Sequence, residues 1–170
     1  MLLNRYAKVF KLPHRAYHLA GDLTGNAVVA AHEDGHLSVC DFSDGFVTTR
    51  RLPHNITAIS VHPTNMSIAT FEGTKRSLIV ETYEGKTLFE ENPHGFCRVE
   101  PSWQSQAEGS CLFDSSGERL WISYPLSPEK IHIEVRETQN WSTISKTVVP
   151  DEICNASCML FSTPDPSRVL

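Results

Sequence analysis

No apolar run in this 170-residue chain approaches the roughly 18 to 20 residues that a membrane-crossing helix needs. The opening stretch, "MLLNRYAKVFKLPH", lacks the apolar segment and small-residue cleavage site of a signal peptide. No segment sustains the i, i+3, i+4 apolar spacing of a helix. Basic charge is scarce as well. Lys and Arg total 15 against 20 Asp and Glu, for a net charge of −5, and the pairs Arg50-Arg51 and Lys75-Arg76 are the nearest approach to a basic run. That argues against phosphate-backbone binding, so neither nucleic acid nor membrane is an expected partner. The short catalytic and nucleotide motifs are missing too. There is no Gly-x-Ser-x-Gly elbow, no phosphate loop and no Gly-x-Gly-x-x-Gly. "GTKRS" (Gly73 to Ser77) has too few glycines to cradle a phosphate. The carboxylate pairs Glu90-Glu91 and Asp151-Glu152 read as solvated loop charges, and no Ser-His-Asp or Cys-His set assembles.

Cysteine is present, but not as a framework. The five cysteines (Cys40, Cys97, Cys111, Cys154 and Cys158) are odd in number and follow no disulfide or zinc spacing. "CNASC" is not the two-residue-spaced pair of a zinc knuckle. Without a secretion signal the expectation is reduced thiols in an intracellular protein, cytoplasmic or nuclear. Asn-x-Ser/Thr sequons at Asn55, Asn65, Asn140 and Asn155 matter only on export. Asn in turns followed by Ser or Thr is the simpler reading.

What the chain does have is recurrence. "KLPHRAYHLAGDLTGNAVVAA" is answered forty residues later by "RLPHNITAISVHPTNMSIATFEG". Pro13, Pro53 and Pro93 are evenly spaced, as are His14, His54 and His94. Gly45 and Gly85 keep the interval, and Asp41 answers Glu81. A fixed period of this size marks a repeat architecture. The first unit holds "AYHLAGD", "NAVVAAH", "HLSVCDF" and "FVTTRRL". The second holds "ITAISVH", "MSIATFE", "SLIVETY" and "KTLFEEN". These are short, β-branched, apolar-rich segments of strand length. Turn formers such as "DLTGN", "EDG", "SDG" and "HPTN" separate them. One unit is therefore a four-stranded antiparallel meander. Gly25, Asn65 and Gly117 fall at matching turn positions, where a positive φ is expected. The third unit is stretched by "CRVEPSWQSQAEG" and slightly by "YPLSPEK". It supplies "SCLFDSSGERLWISY", "EKIHIEV" and "WSTISKT", with Trp121 expected in the core. The units run at 14–53, 54–93 and 94–149, and a partial fourth occupies 150–170.

Four strands repeating near forty residues are the signature of a propeller blade. Here the chain resembles the WD-repeat β-propeller family. Blades of that family carry a Gly-His pair entering the first strand and a Trp-Asp pair ending the third. His14 to Asp41 has that spacing, with Cys40-Asp41 in the Trp-Asp place. His54 to Glu81 repeats it with Val80-Glu81, and the third unit offers His94 and Glu134. The letters depart from the pattern: no Trp-Asp occurs, Pro stands where Gly would precede His14, His54 and His94, and the turn Asp is clear only as Asp34 in "HEDGH". The resemblance implies an all-β fold of antiparallel four-stranded blades, a partial β-propeller of about three blades plus flanking strands. "YAKVFKLPH" reads as the outer strand of a preceding blade. A closed ring in this family usually has about seven blades, so the arc leaves open faces and edges. Either the chain is a shortened product of a longer protein, which stopping at "RVL" favours, or copies or a partner complete the ring.

The family resemblance, with no catalytic set in sight, implies a non-enzymatic protein–protein interaction scaffold that takes a protein or peptide partner and needs no cofactor. Self-association through open blade edges is the second expected contact. Contact residues are expected on the rim loops: His14, Arg15, His54, Asn55, His94 and Trp103. Trp103 sits in the long insertion, where a rigid scaffold concentrates binding. The alternative is a propeller enzyme or ligand-binding protein that uses the histidine-lined rim with a divalent metal. Against it, each histidine is expected to bond within its own blade, as adjacent blades fan apart. His18, His32, His36 and His62 add further imidazoles. His32 and His36 flank a tight Asp34-Gly35 turn and are expected to be solvated or turn-stabilising, not a helical metal pair.

Overall fold

The computed structural model describes residues 10–33, 35–53, 55–72, 77–91, 109–127 and 130–150. These hold twelve strands in three four-stranded antiparallel sheets, with no helix among the described residues. Blade 1 is β1 (Ala16–Gly21), β2 (Ala27–His32), β3 (His36–Asp41) and β4 (Val47–Arg51). Blade 2 is β5 (Ala58–Val61), β6 (Ser67–Glu72), β7 (Ser77–Thr82) and β8 (Thr87–Glu91). Blade 3 is β9 (Ser110–Phe113), β10 (Arg119–Ser127), β11 (Lys130–Glu137) and β12 (Thr143–Pro150). Each is a meander in chain order, innermost to outermost. The middle strands are buried on both faces, as in β6 and β7, while β4 and β8 hold only partly buried and exposed positions. A blade is covered by neighbours on its two sides and by solvent at its outer edge, so burial falls from the middle strands outward.

Two cores lie between the three blades. Val29, Ala31, Leu37 and Val39 of blade 1 meet Leu52, Val61 and Ile68. Ala69, Phe71, Leu78 and Val80 of blade 2 meet Cys111, Phe113, Leu120 and Ile122 of blade 3. Period-two alternation decides which residues enter. Leu120 and Ile122 face blade 2, so Trp121 between them faces away. It pairs with Leu112 and Val135 and is only half-buried, with an indole N–H that has no acceptor. The expectation of a core Trp121 is thus corrected: it belongs to the far face of blade 3.

The blades superimpose less evenly by sequence than the forty-residue period suggests. The turn between the third and fourth strands opens at Asp41, Thr82 and Glu137, whose N–H groups bond to Phe46, Lys86 and Ser142. Blade 2 has one residue fewer in that turn. Asp41 therefore keeps its expected place, but Glu81 lies one residue before the turn and Glu134 three. Trp141 stands at the position of Gly45 and shares its left-handed backbone, at φ 62° against 77°. Its indole stacks on Phe89 of blade 2 at 5.4 Å, and that packing holds a conformation which costs roughly 1–2 kcal/mol outside glycine. In the turn between first and second strands, Gly25 and Gly117 have positive φ as expected, but in blade 2 it is Met66, at 54°, not Asn65.

Of the "YAKVFKLPH" segment, residues 6–9 lie outside the described residues and residues 10–14 are not in a strand. Phe10 packs edge-on against Phe42 at 5.0 Å. Cys40 and Cys111 are free thiols. Burial pushes the Cys111 thiol up to about 12, and its Sγ lies 3.7 Å from the Ala69 carbonyl of blade 2. A thiol that cannot ionise is unreactive. Brief alkylation with iodoacetamide at pH 8 is expected to spare Cys111 in the folded chain and to label it fully in urea. Peptide mapping by mass spectrometry reads both.

Candidate functional site

The connections into β1 and β5 share one end of the blades with the β2–β3 turn, because Leu52 N–H bonds to Gly35 O at 2.9 Å. His14, Arg15 and Asn55 are all exposed at this end. The Arg15 guanidinium lies 5.5 Å over the Tyr17 ring. His54, His94 and Trp103 lie outside the described residues. Of the expected rim set, then, the structure places three, on the entries to two adjacent blades.

His14 meets two other histidines of blade 1. Its ring stacks on His36 at 4.5 Å and 14°, and lies 5.6 Å from His32. His32 is the correction. It is 2% exposed, not solvated, and its Nε2 shares a 2.8 Å hydrogen bond with Ser38 Oγ, which in turn meets Thr49 Oγ1 at 2.8 Å. This chain of polar groups ties three strands of one blade together. Gly35, at φ 78°, makes the turn tight, and that draws the polar end of β2 inward over β3. Near-parallel stacked imidazoles do not aim their nitrogens at one point. Among the described residues no group of three or more His, Cys, Asp or Glu is arranged to hold a metal ion. The metal-dependent alternative is not favoured.

The charged residues that matter most structurally escaped the sequence reading. Arg50 of blade 1 reaches across to blade 2. Its Nε and NH2 donate to Glu81 Oε1 at 3.1 and 2.6 Å, and its NH1 donates to Tyr83 O at 2.8 Å. Arg136 of blade 3 pairs with Glu134 at 2.6 Å and with Glu91 of blade 2. It also lies over the Phe89 ring at 5.3 Å and donates to Trp141 O. Burial works to raise the Glu134 carboxyl, but Arg136, Thr143 and Lys146 outweigh it and hold it below the usual carboxylate range. The available signal was a charge inside an apolar strand: "SLIVET" and "IHIEVRE".

His62, which the sequence offered only as a spare imidazole, links blades 2 and 3. It is 6% exposed. Its Nδ1 accepts from the N–H groups of Thr64 and Asn65, at 3.2 and 3.1 Å. Nε2 therefore carries the proton and donates to Gly117 O of blade 3 at 2.9 Å. Only the neutral ring does both, and burial lowers the His62 pKa despite the opposing pull of Gly117 O and Asp114.

With this geometry in place, the fold is that of β-propeller blades. The chain is similar to the β-propeller domain of Myceliophteria thermophila Cps50 (Swd1), with a TM-score of 0.63 at 12% identity over 90% of this chain. It is also similar to Kuenenia stuttgartiensis hydrazine synthase, with a TM-score of 0.69 at 12% identity over 99% of this chain. The chain spans 49% and 44% of those two structures. At such identity the likeness carries the fold alone. No family model and no curated protein matches the sequence.

Proposed function

We propose that this chain is a non-enzymatic protein-interaction scaffold of the WD-repeat propeller type, acting inside the cell. The observation that carries the reading is the rim: His14, Arg15 and Asn55 are exposed on the connections into two adjacent blades, and those blades are locked together by the Arg50–Glu81 pair. A rigid frame that presents variable polar loops is the usual platform for binding a peptide or protein. The likeness to the Cps50 (Swd1) propeller domain supports the scaffold, and the forty-residue period with Asp41 at its turn supports the WD-repeat label. The hydrazine synthase likeness shows the same fold within an enzyme, so the fold alone does not choose.

Site-specific photo-crosslinking tests the reading. A crosslinking amino acid at Asn55 is expected to give one adduct of defined mass in cells, while the same group at exposed Thr48 on β4 gives none. Equal labelling at both positions, or none at Asn55, counts against a rim-bound partner.

A further inference from the structure

The opposite end of the blades is built from six turns, two per blade, and it differs in character from the histidine rim. The turns are held firmly. Phe42 N–H bonds to Asn26 O at 2.7 Å within blade 1, and Tyr83 N–H bonds to Met66 O at 3.0 Å within blade 2. The turns of blades 1 and 2 also lie close together. Burial first, then the charges of Asp22 and Asp41, pushes the Tyr83 hydroxyl up to about 12.

Three large apolar side chains stand out from this end: Leu23 at 73%, Phe46 at 70% and Met66 at 61% exposed. Met66 is the informative one. Its φ of 54° is the backbone that the corresponding turns of blades 1 and 3 give to glycine. An exposed, β-carbon-bearing residue kept in a strained conformation points to a use for its side chain. Around these three, Asp22, Asp41, Asp44, Glu84, Glu118 and Glu137 are exposed or half-exposed, and Lys86 is the single Lys or Arg within the six turns, though Arg50 reaches in from β4 to the carbonyls of Thr82 and Tyr83. Some of these carboxylates also bond to their own turns, as Asp22 does to the N–H of Asn26 and Asp41 to that of Ser43. Those bonds orient them without removing their charge. Among the described residues these turns thus set carboxylates beside exposed apolar side chains.

We propose that this acidic, apolar end is a second docking surface, and that its occupant is a basic peptide segment whose cationic side chains alternate with large apolar ones. Charge complementarity selects the occupant. A field of one sign draws in the opposite charge and repels acidic segments, while Leu23, Phe46 and Met66 supply the contact area that charge alone does not. The proposal rests on the scaffold reading but concerns the other face, and the two fail separately.

The test uses the full chain and a fluorescein-labelled dodecapeptide alternating Arg and Leu, read by anisotropy at low and at physiological salt. Two control peptides replace Arg by Glu, or Leu by Ser. The Arg/Leu peptide is expected to bind at least tenfold more tightly than either control. Leu23→Ser/Phe46→Ser and Asp44→Lys/Glu84→Lys are each expected to weaken it at least tenfold. All four positions are exposed turn residues, so the fold is not at stake. His14→Ala and Asn55→Ala, at the other end, are expected to leave binding unchanged. Equal binding of the Arg/Ser peptide, or an undiminished affinity in the Leu23/Phe46 variant, would reduce the effect to unselective charge attraction and overturn the proposal. So would no binding at all. An Asn55 crosslink that persists in that case leaves the scaffold reading standing with one docking face.

Discussion

Arg136→Met is expected to cost about 3–5 kcal/mol of folding stability, the range for removing one partner of a buried ion pair. Both members of the pair are nearly out of solvent, with side chains 6% and 5% exposed. Methionine fills a similar volume, so the loss is mainly electrostatic. Glu134 is left with Lys146 at 3.3 Å, half exposed, and with the Thr143 hydroxyl, which places the cost toward the lower end. Blade 2 loses the Glu91 contact and the cation over Phe89 as well. Urea denaturation monitored by tryptophan fluorescence measures the change, because Trp141 stacks on Phe89 at this interface. The double variant Arg136→Met/Glu134→Gln is expected to recover most of the loss, since no buried charge is then unpaired. The pH dependence has a definite sign. Glu134 has a depressed folded-state pKa, so it contributes stability that is present above the unfolded carboxylate value, about 4.3, and is lost as pH falls through the folded value. In Arg136→Met that contribution shrinks, so the two proteins converge in stability as the solution is acidified. A parallel offset down to pH 3 would mean that lost packing, not charge, explains the variant.

The twelve strands were legible because each is a local pattern: β-branched residues alternating over five or six positions between turn formers. "HLSVCDF" and "SLIVETY" announce β3 and β7 without help from the rest of the chain. What joins the blades was not legible, because it lives in pairs far apart in sequence. Nothing near Arg50 names Glu81, and nothing near His62 names Gly117. Letter-by-letter alignment at forty residues also hid a physical difference. Blade 1 turns from β3 to β4 through one residue more than blade 2 does, so Gly45 and Gly85 stay in step while Asp41 and Glu81 do not. Glu81 and Glu134, aligned with Asp41 at the end of the third strand, instead lie within it and form buried ion pairs. Likewise the positive φ went to Met66, because the His62 ring, not an Asp22- or Asp114-type carboxylate, organises that turn through Thr64 and Asn65. Of the rim residues chosen from the sequence, His14, Arg15 and Asn55 are exposed, and His54, His94 and Trp103 lie outside the described residues. The burial of His32 was missed because a histidine beside a tight turn looks the same whether its ring points out or folds back onto Ser38.

Gly117→Ala is expected to cost about 3 kcal/mol, and the cost is expected to depend on His62. Two terms add. Gly117 has φ +76°, which costs an alanine roughly 1–2 kcal/mol. A Cβ there would also sit 2.3 Å from the His62 ring, and that ring is not free to yield: it is buried against Phe113 at 5.0 Å and holds three hydrogen bonds. Displacing it leaves buried groups unsatisfied, at about 1–3 kcal/mol. A double-mutant cycle separates the terms. In a His62→Ala background the steric term vanishes, so Gly117→Ala should there cost only the roughly 1–2 kcal/mol of backbone strain. Equal costs in both backgrounds would show that His62 is not the obstacle. The same ring sets an acid limit. Its folded-state pKa lies below the ordinary value of 6.5, so the unfolded chain takes up the proton first. The stability contributed by neutral His62 is therefore complete above about pH 6.5 and is lost as pH falls through the folded value. Protonation would strip Nδ1 of its role as acceptor for two N–H groups and open the seam between blades 2 and 3. His62→Gln is expected to be less stable than the parent at pH 8 and to lose less between pH 7 and pH 5. An unchanged acid slope in that variant would place the sensitivity in another group.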